Sequence, residues 1–228
     1  MSSEPRTIKV FNLGRTEYSK THKLQQGLQE QRREGRGEDT LLLTEHLPVF
    51  TLGRSHPEPD LKVSTAEVAE RGIAIVSTER GGDITYHGPG QLVGYGILDL
   101  KGWGIGPVDY VHGLEETMIK VCADWGIAAQ RNDEARGVWV EDSKIGSVGI
   151  HVRRSVTMHG FALNVSPDME HFELINPCGM TDASMTSLSA EAGKEIEMSE
   201  VYESVVFHFG RVFHCETEAV DVLSKKAM

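Results

Sequence analysis

Residues 80–91, Arg80-Gly81-Gly82-Asp83-Ile84-Thr85-Tyr86-His87-Gly88-Pro89-Gly90-Gln91, constrain the fold of this chain more than any other stretch. Glycines and a proline at this density exclude a helix. Glycine permits positive φ and close backbone approach to a ligand, and proline fixes φ and removes a donor. The run therefore reads as a shaped loop carrying Arg, Thr, Tyr and His on a rigid backbone. On glycine and proline alone it is also consistent with a plain tight turn between strands.

The sequence around it predicts short strands and helices in irregular order. A polar amphipathic helix is expected over 16–35, with Leu24 and Leu28 on its apolar stripe and Gly35 as its stop. Strands are expected at 41–43 and 49–52, joined through Pro48. Ser64 and Glu67 have capping-box spacing, with Gly72 as the following stop. A strand at 73–76 feeds the glycine-rich run and one at 91–100 leaves it. Val111, Leu114, Met118, Val121, Cys122 and Trp125 form one stripe of a helix over about 108–125, which makes Cys122 a core residue. Residues 137–140 and 144–152 read as a hairpin turning at 141–143, with a further strand at 155–165. Helical segments are expected near 168–175 and over 198–216, with Cys215 at the edge of the latter's apolar stripe. Hairpins mixed with scattered helices give an α+β fold, not a doubly wound sheet. No internal boundary or repeat is visible, so residues 1–228 are expected to be a single domain.

Charge and composition exclude several functions. With 23 Lys and Arg against 34 Asp and Glu, the formal net charge is -11, which disfavours nucleic acid and anionic membrane surfaces. No apolar run approaches the roughly 18 residues of a membrane span. Residues 1–7 lack an apolar signal core and are neither Arg-rich nor free of acids, so a cytoplasmic location is expected. The three cysteines, Cys122, Cys178 and Cys215, include no Cys-x-x-Cys pair, which fits a reducing compartment. No metal-ligand spacing, dinucleotide fingerprint or phosphate loop is present, so neither metal nor cofactor is expected.

Two residues stand out chemically. Cys178 sits in Asn176-Pro177-Cys178-Gly179, a loop sequence, and a thiol there needs a neighbouring cation or base to be appreciably ionised at neutral pH. Lys144, just after the hairpin turn, is the candidate partner; its alternative is the solvated lysine that guards a strand edge. His87, His151 and His159 fall near the same segments and are individually more often hydrogen-bonded structural residues.

The glycine-rich run, Val138-Trp139-Val140, Lys144-Ile145-Gly146-Ser147-Val148-Gly149, Met158 to Val165 and Ile175-Asn176-Pro177-Cys178-Gly179 occur in an order that closely resembles the lipoyl(octanoyl) transferases. The resemblance covers about residues 10–188. It implies the fold of biotin protein ligases and lipoate-protein ligases, a mixed, largely antiparallel sheet flanked by helices. It implies Cys178 as the acyl-carrying nucleophile and Lys144 as the residue that lowers its pKa. The implied substrate-binding residues are Arg80, Gly81, Gly82, Asp83, Ile84, Thr85, Tyr86 and His87; Ser147, Val148 and Gly149; and Gly160, Phe161 and Ala162. Asp83 departs from the uncharged residue of many members. Tyr86, Leu92, Val148 and Phe161 are expected to form the apolar slot. The implied reaction moves octanoyl or lipoyl from acyl carrier protein to a lysine of apo lipoyl domains, as in 2-oxoacid dehydrogenase E2 subunits and glycine cleavage H protein. No nucleic acid or membrane partner is implied. The rivals are an ATP-dependent lipoate ligase, a cysteine hydrolase and a non-catalytic lipoyl-domain binding module. An acidic carrier would need a local basic patch, for which Arg153-Arg154 or Arg32-Arg33 with Arg36 are available.

Overall fold

The computed structural model describes residues 6–55, 60–132, 135–176 and 184–220. Pro177, Cys178 and Gly179 lie outside the described residues. In chain order the elements are β1 (Arg6–Thr16), α1 (Tyr18–Arg33), β2 (Thr40–His46), β3 (Val49–Leu52), α2 (Thr65–Glu70), β4 (Ala74–Ser77), β5 (Thr85–His87) and β6 (Gln91–Ile97). Then follow α3 (Leu100–Trp103), α4 (Pro107–Asp124), β7 (Gln130–Arg131), β8 (Val138–Val140), β9 (Ser143–Arg153) and β10 (Val156–Asn164). The chain closes with α5 (Glu170–Glu173), β11 (Ser184–Met185), α6 (Leu188–Ala192), α7 (Met198–Phe213) and β12 (Cys215–Val220).

The main sheet runs β12-β1-β2-β6-β10-β9-β8-β7, with β11 added alongside β9. Its centre, β2-β6-β10-β9-β8, is antiparallel, whereas β1 is parallel to both β2 and β12. A small second sheet, β4-β3-β5, carries the glycine-rich segment. This is the mixed, largely antiparallel α+β architecture expected from the sequence. Among the described residues, no helix is long and apolar enough to cross a membrane.

Strand alternation divides the core. Leu41, Leu43, Leu92 and Leu163 pack with Leu114, Met118 and Val121 of α4 and Val201, Val205 and Phe209 of α7. Leu42, Val93, Tyr95 and Ala162, one position along, pack with Tyr18 and Leu28 of α1. A third cluster, including Phe50, Ile84, Tyr86 and Phe172, fastens the small sheet to α5. Ser64 caps α2 by accepting from the Glu67 backbone N–H at 3.2 Å, but the Glu67 carboxylate pairs with Arg71 instead of closing the box.

Four expectations need correction. The buried face of α1 is polar, with Thr21, Gln25 and Gln29 inward and Leu24 exposed. The predicted helix over 198–216 stops at Phe213, where His214 adopts a left-handed φ of 52°, and Cys215 belongs to strand β12. Strand β6 ends at Ile97, because Asp99 starts α3. Within the glycine-rich run, Thr85–His87 pair with β3 as a strand, since the small sheet supplies their hydrogen bonds.

Candidate functional site

Backbone hydrogen bonds pin the glycine-rich segment between two strands. The N–H groups of Gly53, Arg54 and Ser55 donate to the carbonyls of Asp83, Arg80 and Gly82, and Gly81 N–H donates to Ile150 of β9. Arg80, nearly buried, donates through Nε at 3.1 Å and Nη2 at 2.9 Å to the Thr51 hydroxyl, and through Nη2 at 2.6 Å to the Thr51 carbonyl. Its guanidinium therefore braces the loop from beneath. Asp83 is buried, and its Oδ1 accepts from Ile84 N–H at 3.0 Å.

The segment forms one side of a cavity of about 590 Å³. Arg80, Gly81, Gly82, Asp83, Ile84, Thr85 and His87 line it, as do Ser147, Val148 and Gly149 of β9 and Gly160, Phe161 and Ala162 of β10. Three segments separated in sequence thus converge. Tyr86 is the exception among the expected residues: alternation along β5 turns its ring into the small-sheet core, where its hydroxyl meets His171 Nδ1 at 2.9 Å. Leu92 likewise lies under α4 and α7 and not in the cavity. The apolar wall is made by Val148 and Phe161 as expected, together with Val93, Tyr95, Val108 and Val111. Gly94 makes room for this wall, because a Cβ there would come within 2.2 Å of the Phe161 ring.

Lys144 also lines the cavity and is only 5% exposed, so it is not a solvated edge lysine. Its Nζ lies 5.4 Å from the centre of the Trp139 ring, within cation-π range. Gly137, at φ 124°, allows the approach; a Cβ there would sit 2.7 Å from Lys144 Cε. Ser184 and Met185 of β11 pair in register with Ser143 and Lys144, and Thr186 N–H donates to the Lys144 carbonyl at 2.9 Å. The first described residues after the Cys178 loop are therefore held against Lys144.

A buried polar chain ties this end to the glycine-rich run. Gln91 Nε2 donates to the carbonyl of Tyr86 and to Asn164 Oδ1, and Asn164 Nδ2 donates to the carbonyl of Thr186. Gln91 Oε1 is thus left to accept from His87 Nδ1 at 2.7 Å. Burial, with the nearby His46, pushes His87 down to about 3, so at neutral pH its ring is uncharged with Nε2 as the remaining acceptor. Gln91 and Asn164 lie inside the quoted motifs but could not be picked out as site residues, because neither residue type stands out until its partners are known. The other two thiols are poor nucleophiles: burial pushes Cys122 up to about 12 and Cys215 up to about 11.

Of the two basic patches, Arg32-Arg33 with Arg36 is spent internally. Arg32 pairs with Asp39 at 2.7 Å, Arg33 with Glu30 and Arg36 with Glu34. Arg153 and Arg154 are exposed. Burial pushes His151 below its ordinary value; Glu79 opposes the shift, and Arg54 and Arg153 add to it.

A large mixed sheet flanked by helices is the fold of ligases for lipoate and biotin. Lipoate-protein ligase A bound with ATP superposes with a TM-score of 0.72 at 12% identity, over 97% of this chain and 92% of that one. Biotin protein ligase from Aquifex aeolicus, in complex with biotin and ATP, gives 0.56 at 15% identity, over 90% and 70%. At these identities the likeness concerns the fold alone. Sequence similarity goes further: residues 17–210 match the lipoyl protein ligase A/B catalytic domain. An octanoyltransferase from Koribacter versatilis is 43% identical over 211 residues, covering 90% of this chain and 84% of that protein. The chain belongs to the lipoyl protein ligase A/B catalytic domain family and is an acyltransferase of lipoyl or octanoyl transfer.

Proposed function

We propose that residues 1–228 work as one cytoplasmic catalytic unit that takes octanoyl from acyl carrier protein onto Cys178 and passes it to a lysine of an apo lipoyl domain. The observation that carries this reading is the convergence of residues 80–85, 87, 147–149 and 160–162 on one cavity that Lys144 also lines, with β11 leading back from the Cys178 loop to Lys144. In the first step the Cys178 thiolate attacks the carrier thioester, and the phosphopantetheine thiolate leaves. One thioester replaces another, so the step is nearly isoenergetic. In the second, the acceptor amine attacks, Cys178 leaves as thiolate and the nitrogen loses a proton; amide formation drives it. Lys144 stabilises the thiolate electrostatically and is placed to relay the proton. The apolar wall holds the octanoyl tail. The exposed cations Arg54, Arg153 and Arg154 counter the chain's net negative charge where an acidic carrier would dock.

Intact-mass analysis after mixing with octanoyl-acyl carrier protein tests this. One octanoyl group should appear on Cys178, persist in Cys122→Ser and Cys215→Ser, and discharge when apo lipoyl domain is added. A Cys178→Ser protein that transfers at the parent rate would sink the proposal.

A further inference from the structure

The cavity-lining His159 belongs to a cluster, reaching away to α1, that the proposed acyl transfer does not use. His22 of α1, Glu79 between β4 and β5, and His159 of β10 each bring one ligand atom within 4.8 Å of the others. His22 Nε2 lies 2.8 Å from Glu79 Oε2, and His159 Nε2 lies 3.7 Å from the same oxygen, beyond hydrogen-bond range. His159 is 1% exposed, yet neither of its ring nitrogens has a hydrogen-bond partner among the described residues. Buried polar groups are almost always satisfied, so an imidazole held this way calls for a ligand. It is also held firmly: its backbone N–H donates to Gln25 Oε1 at 2.9 Å, and its ring stacks on His22 with centroids 5.5 Å apart.

Two imidazoles and a carboxylate are a zinc donor set of the kind that leaves the fourth position to water. Donors around a tetrahedral zinc at about 2.0–2.1 Å lie roughly 3.3 Å from one another, and the two measured separations fall on either side of that spacing. The three residues come from positions 22, 79 and 159, so no local spacing could have revealed them.

We propose that His22, Glu79 and His159 bind one divalent cation of the zinc class, clipping α1 to β10 and to the segment that leads into the glycine-rich wall. The ion takes one nitrogen lone pair from each histidine and one oxygen of Glu79, releases to solvent the proton between His22 and Glu79, and gives His159 a direct partner in place of the 3.7 Å approach to Glu79. The test uses the full chain with Cys178→Ser, to remove a competing thiolate, after chelator treatment and dialysis. Zinc is titrated against a chromophoric chelator, and cobalt(II) is followed by its visible absorption. One equivalent should bind, with a cobalt spectrum free of thiolate charge transfer, and the melting temperature should rise with zinc. Glu79→Gln, which preserves shape, and His22→Ala should each weaken binding at least about tenfold and remove the thermal shift. Absence of a saturable equivalent, or unchanged binding in both variants, overturns the site. None of these readouts depends on acyl transfer, so they stand or fall separately from the proposed reaction.

Discussion

The two faces of the central sheet are built from the same strands and could hardly be less alike. On the side of α4 and α7, Leu41, Leu43, Leu92 and Leu163 meet Leu114, Met118, Val205 and Phe209 in a dry core. On the side of α1, Leu42, Val93 and Tyr95 alternate with His46 and His159, and the helix answers with Tyr18, Thr21, Gln25 and Gln29. One face supplies stability through apolar burial; the other sacrifices some of it to hold polar groups at a cavity wall. The polar side chains of the cavity thus come from the α1 side and the strand ends, while Phe161 and Val111 of α4 lend the dry face's edge to its apolar wall, so the two faces should respond differently to substitution.

The largest effect on stability should come from the dry face. Phe209→Ala removes a fully buried ring and should cost about 3–5 kcal/mol, read as a lower urea midpoint, while transfer per folded molecule is unchanged. A smaller effect, confined to acid, should come from the polar face. Burial pushes His46 down to about 4 and His87 to about 3, against about 6.5 when unfolded. The unfolded chain therefore binds the extra protons, and stability falls as pH drops below 6.5, by up to about 1.4 kcal/mol per pH unit for each histidine. Denaturation between pH 6.5 and 5 should show this slope, and His46→Gln should flatten it by about one proton. At the chemical end the effect is read in reactivity as much as in stability: Gly137→Ala forces a side chain to φ 124°, 2.4 Å from the Gly146 carbonyl oxygen and 2.7 Å from Lys144 Cε, at a cost of about 1–3 kcal/mol. Its signature would be a shifted pH profile for Cys178 alkylation; an unchanged profile would show that Lys144 need not sit where Gly137 lets it.

The sequence was most readable where glycine and apolar periodicity speak together. The glycine-rich run, the β8–β9 hairpin and the α4 stripe all form, because their turn and packing signals agree with the tertiary structure. It was least readable at the sheet edge. In β1 only Ile8 and Val10 are fully buried, and β12 is a half-exposed strand of alternating Glu and small residues, so neither shows strong alternation; their pairing with each other defines them. The polar inner face of α1 was hidden for the same reason, since Gln25 and Gln29 are inward only because β10 offers a backbone N–H and a carbonyl. At the site, Lys144 was legible as chemistry but not as a buried residue, and Tyr86 was placed on the wrong side by reading a strand as a loop.

The central claim is that the donor is an already activated thioester, and the direct test is transfer in the absence of nucleotide. Octanoyl-acyl carrier protein and apo lipoyl domain should yield octanoyl-lysine in the presence of chelator and a nucleotide-depleting enzyme, and free octanoate with ATP should yield none. Product from free octanoate and ATP at the rate of the carrier-bound substrate would contradict the account and make the chain a ligase.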